Sequence, residues 1–436
     1  MIEDEIYRSS TQYRLWSFTK DSLNSLRANT NALASERIRA AQKRAREAHR
    51  SATPSTAENS TPNPSDVEGK AEAVLEKDVE CLTPEEEVEF VRYYCEQTLE
   101  LGDTYKPPLP TMVRATAIQY LRRFYLTNSV MTYHPKSIMP CALFLATKTD
   151  NYYMSLRDFA NGVPGITKPE EVIAPEFTLT QGLRFTFDVR HPFRGLEGGV
   201  MELQAIAQGE GKPGPHHTGQ TPESLKQALH SIPPLASQAD RPVSISTRIA
   251  NAHSKAREIL KTAAQMTDAY FFYTPSQIWL SALLLADQPL AQFYIDIKIP
   301  PGVEPTNADP TNPLALIRMK LLNTLSDCAK LLESYAPVSS DPEKRKRLKG
   351  IAKKVYQCQQ IEKLDPAGPS GQKRASGNLP AAGNEGISES EMERMAKKRK
   401  LERERREREA RELFGGELIN KPNKEAEANG GEGGTE

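Results

Sequence analysis

Residues 109–150 read LPTMVRATAIQYLRRFYLTNSVMTYHPKSIMPCALFLATKTD, and their pattern decides the fold. Val113, Ala117, Tyr120, Leu121 and Phe124 recur at three- and four-residue steps, which places them on one face of a helix. Pro110 stands near its first turn, where a missing N–H costs nothing. Asn128 and Ser129 interrupt the periodicity. A second helix restarts at Pro135 and is apolar nearly all round through Ala146, the pattern of a helix enclosed by other helices. It ends on Lys148, a charge that a dry core cannot hold unpaired. The stretch predicts a buried central helix presenting one charge at its exit.

The stretch recurs 140 residues later. Thr127, Tyr133, Pro135, Ile138, Ala142, Leu143, Leu145 and Ala146 are matched by Thr267, Tyr273, Pro275, Ile278, Ala282, Leu283, Leu285 and Ala286. Self-similarity at one fixed offset indicates a duplicated unit, here of domain size. The copies differ at the exit: Lys148 falls opposite Gln288, so the work of the lysine belongs to the first copy.

These residues resemble the two cyclin boxes of the cyclin family. The segments RRFYLTNSVMTYHP and TDAYFFYTPSQI, with Leu82-Thr83-Pro84 ahead of them, are similar to its cyclin H branch, and the likeness extends with gaps over residues 7–335. It implies an all-α fold of two tandem five-helix cyclin-box repeats, with N- and C-terminal flanking helices and disordered linkers. It further implies a non-enzymatic regulatory subunit that binds and activates a cyclin-dependent kinase of the CDK-activating-kinase/TFIIH complex. That complex phosphorylates RNA polymerase II C-terminal repeats and other cyclin-dependent kinases in the nucleus. The implied partners are the kinase catalytic subunit, a third assembly subunit and the TFIIH core. In cyclins a lysine ending the third helix and a glutamate in the fifth hold the kinase's regulatory helix; Lys148 and Glu176 occupy those positions. Phe144, Leu145 and Thr180, with the Phe185/Phe187 pair after the fifth helix, complete the implied kinase-binding set. Two departures stand out. Thr149-Asp150-Asn151 follows the lysine where cyclins often carry a bulkier residue and an acidic pair, and Thr180 replaces an aliphatic contact. The rival readings are a cyclin C-like subunit and a TFIIB-like DNA-binding factor; the latter calls for a zinc ribbon that the cysteine spacing does not supply.

Composition agrees with a binding module. The 436 residues allow two or three domains. A hydrophobic content of 38% and a mean hydropathy of -0.58 imply that part of the length is unstructured. Basic and acidic residues balance at 57 each, which argues against a whole-molecule electrostatic grip on nucleic acid. Five scattered cysteines (Cys81, Cys95, Cys141, Cys328, Cys358) read as small core residues in a reducing compartment. The N-terminus lacks a signal-peptide core, and the apolar runs fall short of the ~20 residues of a membrane span. No phosphate loop, metal-ligand spacing or nucleophile motif emerges, so no cofactor, metal, nucleic-acid or membrane partner is expected.

In chain order, residues 1–50 read as a polar segment and a helix with an apolar pattern through Leu23, Leu26, Leu33 and Ile38, packed through Trp16, Leu23 and Leu26, its basic extension RAAQKRAREAHR solvated. A disordered Ser/Thr/Pro linker spans 51–80, the first box 81–192, a flexible insertion 193–245 and the second box 246–336. Thr83 opens the first box as an N-cap before Pro84 and three glutamates, and Gly102 closes that helix. The fifth helix carries Ile173, Glu176, Phe177, Thr180 and Leu183 on one side. The closing helix of the second box carries Leu314, Ile317, Leu321, Leu325, Cys328 and Leu332. A basic linker segment follows over 337–387, then a charged helix over 388–414 with the import-like cluster Lys397-Lys398-Arg399-Lys400, and a disordered tail over 415–436.

Overall fold

Helix-forming residues, alternately capped and interrupted, dictate the architecture. The computed structural model describes residues 2–52, 77–214, 220–234, 243–301, 313–338 and 341–366. These all lie in one unit, residues 1–373. Most of the 51–80 linker, the 388–414 charged helix and the 415–436 tail lie outside the described residues.

The first helices are α1 (Ile2–Ser9), α2 (Thr11–Trp16) and the long α3 (Lys20–Ala52). The first box comprises α4 (Pro84–Thr104), α5 (Thr111–Thr127), α6 (Pro135–Thr149), α7 (Leu156–Gly162) and a fifth helix in two pieces, α8 (Glu170–Ile173) and α9 (Glu176–Gly182). Thr83 caps α4 in a full capping box, its Oγ1 accepting from Glu86 N while Glu86 Oε2 accepts from Thr83 N at 3.0 Å. Gly102 does not end that helix, which runs to Thr104. It is a glycine because the Arg114 side chain fills the space of a Cβ. The core gathers around α6, whose Ile138, Ala142, Leu143 and Ala146 are fully enclosed.

The second box comprises α10 (Phe193–Gln208), α12 (Ile245–Lys261), α15 (Pro275–Ala286), α16 (Gln288–Lys298) and α17 (Pro313–Glu333). The extra helix α11 (Pro222–His230) and the one-turn α13 (Ala263–Met266) and α14 (Ala269–Phe272) lie between these. Helix α15 repeats α6 at the same offset, with Ile278, Ala282 and Leu283 buried.

Several expectations are corrected here. The flexible insertion of 193–245 begins instead with the first helix of the second box. Phe193, Leu196, Val200, Leu203 and Ile206 of α10 enter the second core, as do Leu225 and Leu229 of α11. The basic linker of 337–387 contains α18 (Pro342–Leu364), which buries Ile351, Val355, Cys358 and Ile361. The basic extension of α3 is not merely solvated. Ala41 and Ala45 of the extension continue the buried line of Ala34 and Ile38 along the inner face of α3, and Arg44 chelates Asp365 just past α18 at 3.0 and 2.7 Å. Leu33 points outward at 69% exposed, and Ile317 is 53% exposed rather than part of the α17 stripe.

Trp16, Leu23 and Leu26 pack as expected, and on both boxes at once, through Leu126 and Phe271. The boxes are joined by buried polar groups. Gln119 donates to Gln265 at 2.9 Å, and His191 bridges Thr116 and Tyr270 at 3.0 and 2.9 Å. Burial pushes the His191 pKa down to about 3, so the ring is neutral. Asp268 accepts a bidentate pair from Arg27 of α3 and a further bond from Arg122 of α5, so one carboxylate ties N-terminal helix, first box and second box together. This joint fixes how the end of the first box is presented.

Candidate functional site

Helix α6 delivers Lys148 in its last turn, where a cation meets the negative end of the helix dipole. Helix α9 starts at Glu176, where an anion meets the positive end. The break at Ala174 and Pro175 sets that start, so the fifth helix is two short pieces because a proline interrupts it. The Lys148 ammonium and the Glu176 carboxylate pair across the gap, their side chains 42% and 28% exposed. The ammonium also sits 5.0 Å from the centroid of the Phe144 ring, a cation–π contact.

The other predicted residues divide between surface and interior. Phe185 is 62% exposed. Thr180 is half-buried and donates its hydroxyl to the Phe177 carbonyl at 2.9 Å. Phe144 and Leu145 are turned into the first core of the free chain. Phe144 packs against Phe159, the ring centroids 5.2 Å apart and the planes tilted by 45°, and acts as a floor under Lys148. Phe187 also points inward, its ring 6.3 Å from that of Tyr120, whose hydroxyl donates to the Phe187 carbonyl at 2.7 Å. Cys141 is buried beneath the site, and burial pushes its thiol up to about 12.

Three exposed apolar side chains complete this end of the box: Phe177 at 68%, Ile173 at 37% and Tyr153 at 90%. The sequence places Ile173 and Phe177 on one side with Leu183, but the break at Ala174 and Pro175 separates them: Val172, Leu179 and Leu183 are buried while Ile173 and Phe177 face outward. Arg184 and Phe185 both have left-handed backbone, with φ of 52° and 53°, a conformation costing ~1–2 kcal/mol for a residue with a Cβ. The turn is held from below. Phe185 N donates to the Thr180 carbonyl at 3.0 Å, the Arg184 guanidinium lies 5.4 Å from the Trp16 ring, and Trp16 Nε1 donates to Thr186 at 3.0 Å. Trp16 thus fixes the direction in which Phe185 projects.

An ion pair rimmed by exposed aromatic side chains has the character of a protein interface, where apolar anchors surround a few charges. Among the described residues no three His, Cys, Asp or Glu side chains gather as a metal site, and no helix is long and apolar enough to cross a membrane.

Comparison with known proteins places this architecture. The cyclin N-terminal domain matches residues 104–188 and the cyclin C-terminal domain residues 191–333; the second match begins just ahead of α10. Cyclin mcs2 of Schizosaccharomyces pombe is 31% identical over 299 residues, covering 69% of this chain and 75% of that protein. Cyclin CCL1 of Saccharomyces cerevisiae is 34% identical over 298 residues, 68% of this chain, but the match spans only 62% of that relative's length. A chain in the structure of the CAK complex from Chaetomium thermophilum bound to ATP-gamma-S superposes with a TM-score of 0.59 at 30% identity, covering 89% of this chain and all of that one. The chain belongs to the cyclin family. Within the family it is similar to cyclins of the H type, including Cyclin-H of Xenopus laevis at 36% identity over 128 residues, 28% of this chain and 40% of that one.

Proposed function

We propose that this cyclin is the regulatory subunit of a cyclin-dependent kinase of the CDK-activating type, with Lys148 and Glu176 at the charged centre of the kinase interface. The observation that carries the reading is the asymmetry of the two boxes. The first ends its central helix on an accessible Lys148–Glu176 pair, with exposed Phe177 and Phe185 on the glutamate's helix and its exit. In the second, the helix ends at Asp287, whose carboxylate is enclosed and chelated by Arg248 at 2.7 and 2.8 Å. The solved relative quoted above is a chain of a CAK complex, which supports the choice of kinase class.

On this reading the protein performs no chemistry. It clamps the regulatory helix of the kinase so that the active arrangement of catalytic groups is the populated one. Phosphorylation of RNA polymerase II C-terminal repeats and of other cyclin-dependent kinases, a third assembly subunit, attachment to the TFIIH core and a nuclear site of action belong to the same proposal. Affinity purification of the tagged chain, with mass-spectrometric identification of what co-elutes, tests it. A stoichiometric cyclin-dependent kinase active on a C-terminal-repeat peptide is the expected result. Recovery of promoter DNA without a kinase favours the DNA-binding alternative and overturns the proposal.

A further inference from the structure

A cavity that includes neither Lys148 nor Glu176 lies between α3, α4 and α5, with Met266 of α13 behind it, and measures about 40 Å³. Val91, Leu126 and Met266 give it apolar walls, and Arg27, Arg92 and Arg122 bring guanidinium groups to it. Arg27, Pro84, Val88 and Arg92 also line a wider cleft of about 870 Å³ between α3 and α4, so the cavity is the inner end of an open passage. The rim of the cleft carries both signs of charge, Glu85 and Glu343 beside Lys344, and Arg347 there is taken up by Glu89 at 3.0 Å. The inner end does not balance. Arg27 and Arg122 are both engaged by Asp268. Glu87, the other carboxylate at this end, accepts from Asn31 at 2.8 Å, from Ser129 at 2.9 Å and from Val130 N at 3.3 Å. Arg92 is not matched in this way: its Nε is buried and has no hydrogen-bond partner among the described residues.

We propose that this cavity receives one acidic side chain, a glutamate or an aspartate, from a partner protein whose peptide segment lies in the α3–α4 cleft, and that the carboxylate pairs with Arg92. Three guanidinium groups (Arg27, Arg92, Arg122) meet two carboxylates (Asp268, Glu87) at the inner end, which leaves one positive charge in excess. One carboxylate neutralises it. A buried donor without a partner is costly, and a carboxylate accepts from the guanidinium fork through two oxygens at once. Size points the same way. A single water-sized group takes ~10–15 Å³, so 40 Å³ admits only a few heavy atoms. A phosphate is bulkier, and its second negative charge would face the Glu87 carboxylate and the apolar walls. A basic side chain would meet three like charges, and an apolar one would leave Arg92 as it is. The partner is therefore recognised by charge complementarity at one buried point, with the mixed rim of the cleft accepting the flanking residues. This surface is separate from the Lys148–Glu176 pair and does not depend on the identity of the kinase.

The test uses the full-length chain and pools of degenerate short peptides with a fixed central Glu, Asp, Gln, Lys or phosphoserine. The wild type should retain the Glu or Asp pool at least about tenfold better than the Gln and Lys pools, as expected for a charge pair made in a desolvated site. Arg92→Met, which keeps the bulk of the stem, should lose that preference. Arg92→Lys should keep part of it, since it retains the charge without the fork. Arg257→Gln, which removes an arginine from the second box, should keep all of it. Thermal melting of Arg92→Met without any peptide gives a second reading: it should melt at or above the wild-type temperature, because the native chain offers Arg92 no partner. Equal retention of the Glu and Gln pools means that the cavity holds water only, and overturns the proposal. So does a preference that survives Arg92→Met, or a phosphoserine pool retained above both acidic ones. A lower melting temperature, or loss of the fold, in Arg92→Met shows that Arg92 already has its counterpart within the chain, and overturns it as well.

Discussion

Replacing Lys148 by Glu separates a functional ion pair from a decorative one. In the free chain the two side chains are 42% and 28% exposed, so solvent screens the pair and its loss costs ~0–1 kcal/mol of stability. The melting temperature of Lys148→Glu should therefore stay within a few degrees of wild type. A kinase helix seated over the pair removes that solvent, and truncating one partner of a buried charge pair then costs ~2–5 kcal/mol of binding. At ~1.4 kcal/mol per tenfold, the dissociation constant should rise between about thirtyfold and several thousandfold. Glu176→Lys should behave alike. The double exchange Lys148→Glu with Glu176→Lys is the informative control. It restores the bridge within the chain but reverses the field seen by the partner, so stability should recover and binding should not. Calorimetric titration with the co-purified kinase, activation assays and thermal melting give the three readouts. Folded single variants that activate at wild-type concentrations, or a double exchange that restores binding, refute the argument. Gln288→Glu in the second box should be silent.

Other perturbations follow from the same structure. Leu203→Ala, fully enclosed in the second core, should destabilise the protein by ~2–5 kcal/mol in denaturant melts, and deleting residues 193–208 should abolish cooperative unfolding. Phe177→Ala and Phe185→Ala should leave the melting temperature unchanged, because both rings are already mostly in solvent, and weaken kinase binding by ~1 kcal/mol or more each. Asp268→Asn should cost ~3–5 kcal/mol, since it leaves the buried Arg122 short of its counter-ion. Burial alone raises the Asp268 carboxyl, but the hydrogen bonds from Arg27 and the charge of Arg122 outweigh it and hold it below its ordinary 3.8. A lowered folded value means stability that is present above about pH 4 and lost as pH falls below it. The wild type should lose stability across that acid range more steeply than Asp268→Asn.

What the sequence disclosed and what it hid have separate physical causes. The fold was legible because Ile138, Ala142, Leu143 and Ala146 recur as Ile278, Ala282, Leu283 and Ala286, and a helix buried on every side must be apolar on every side. Helix α10 is hard to read from sequence although Phe193, Leu196, Val200, Leu203 and Ile206 keep a helical period, because Gly195, Gly198 and Gly199 fall among them and glycine disfavours a helix. Two of those glycines are packing residues. A Cβ on Gly195 or Gly199 would come within 2.5 or 2.7 Å of the Trp279 indole, so glycine is what lets that ring lie against the helix. The α3–α18 seam is hard to read for a related reason: on α3 most of its buried residues are alanines (Ala34, Ala41 and Ala45 beside Ile38), which carry little hydropathy signal yet allow two helices to approach closely. At the site, the asymmetry between Lys148 and Gln288 singles out the charged pair, but spacing alone does not say which side of an all-apolar helix faces outward, and Phe144 and Leu145 lie in the core of the free chain. Least legible is the turn at Arg184 and Phe185. Neither residue favours a positive φ, and no local motif announces one. The conformation exists because Trp16, far away in sequence, lies beneath the turn and hydrogen-bonds to Thr186. A feature whose cause is tertiary leaves no mark in the segment that carries it, and here that feature aims one of the most exposed aromatic rings of the first box.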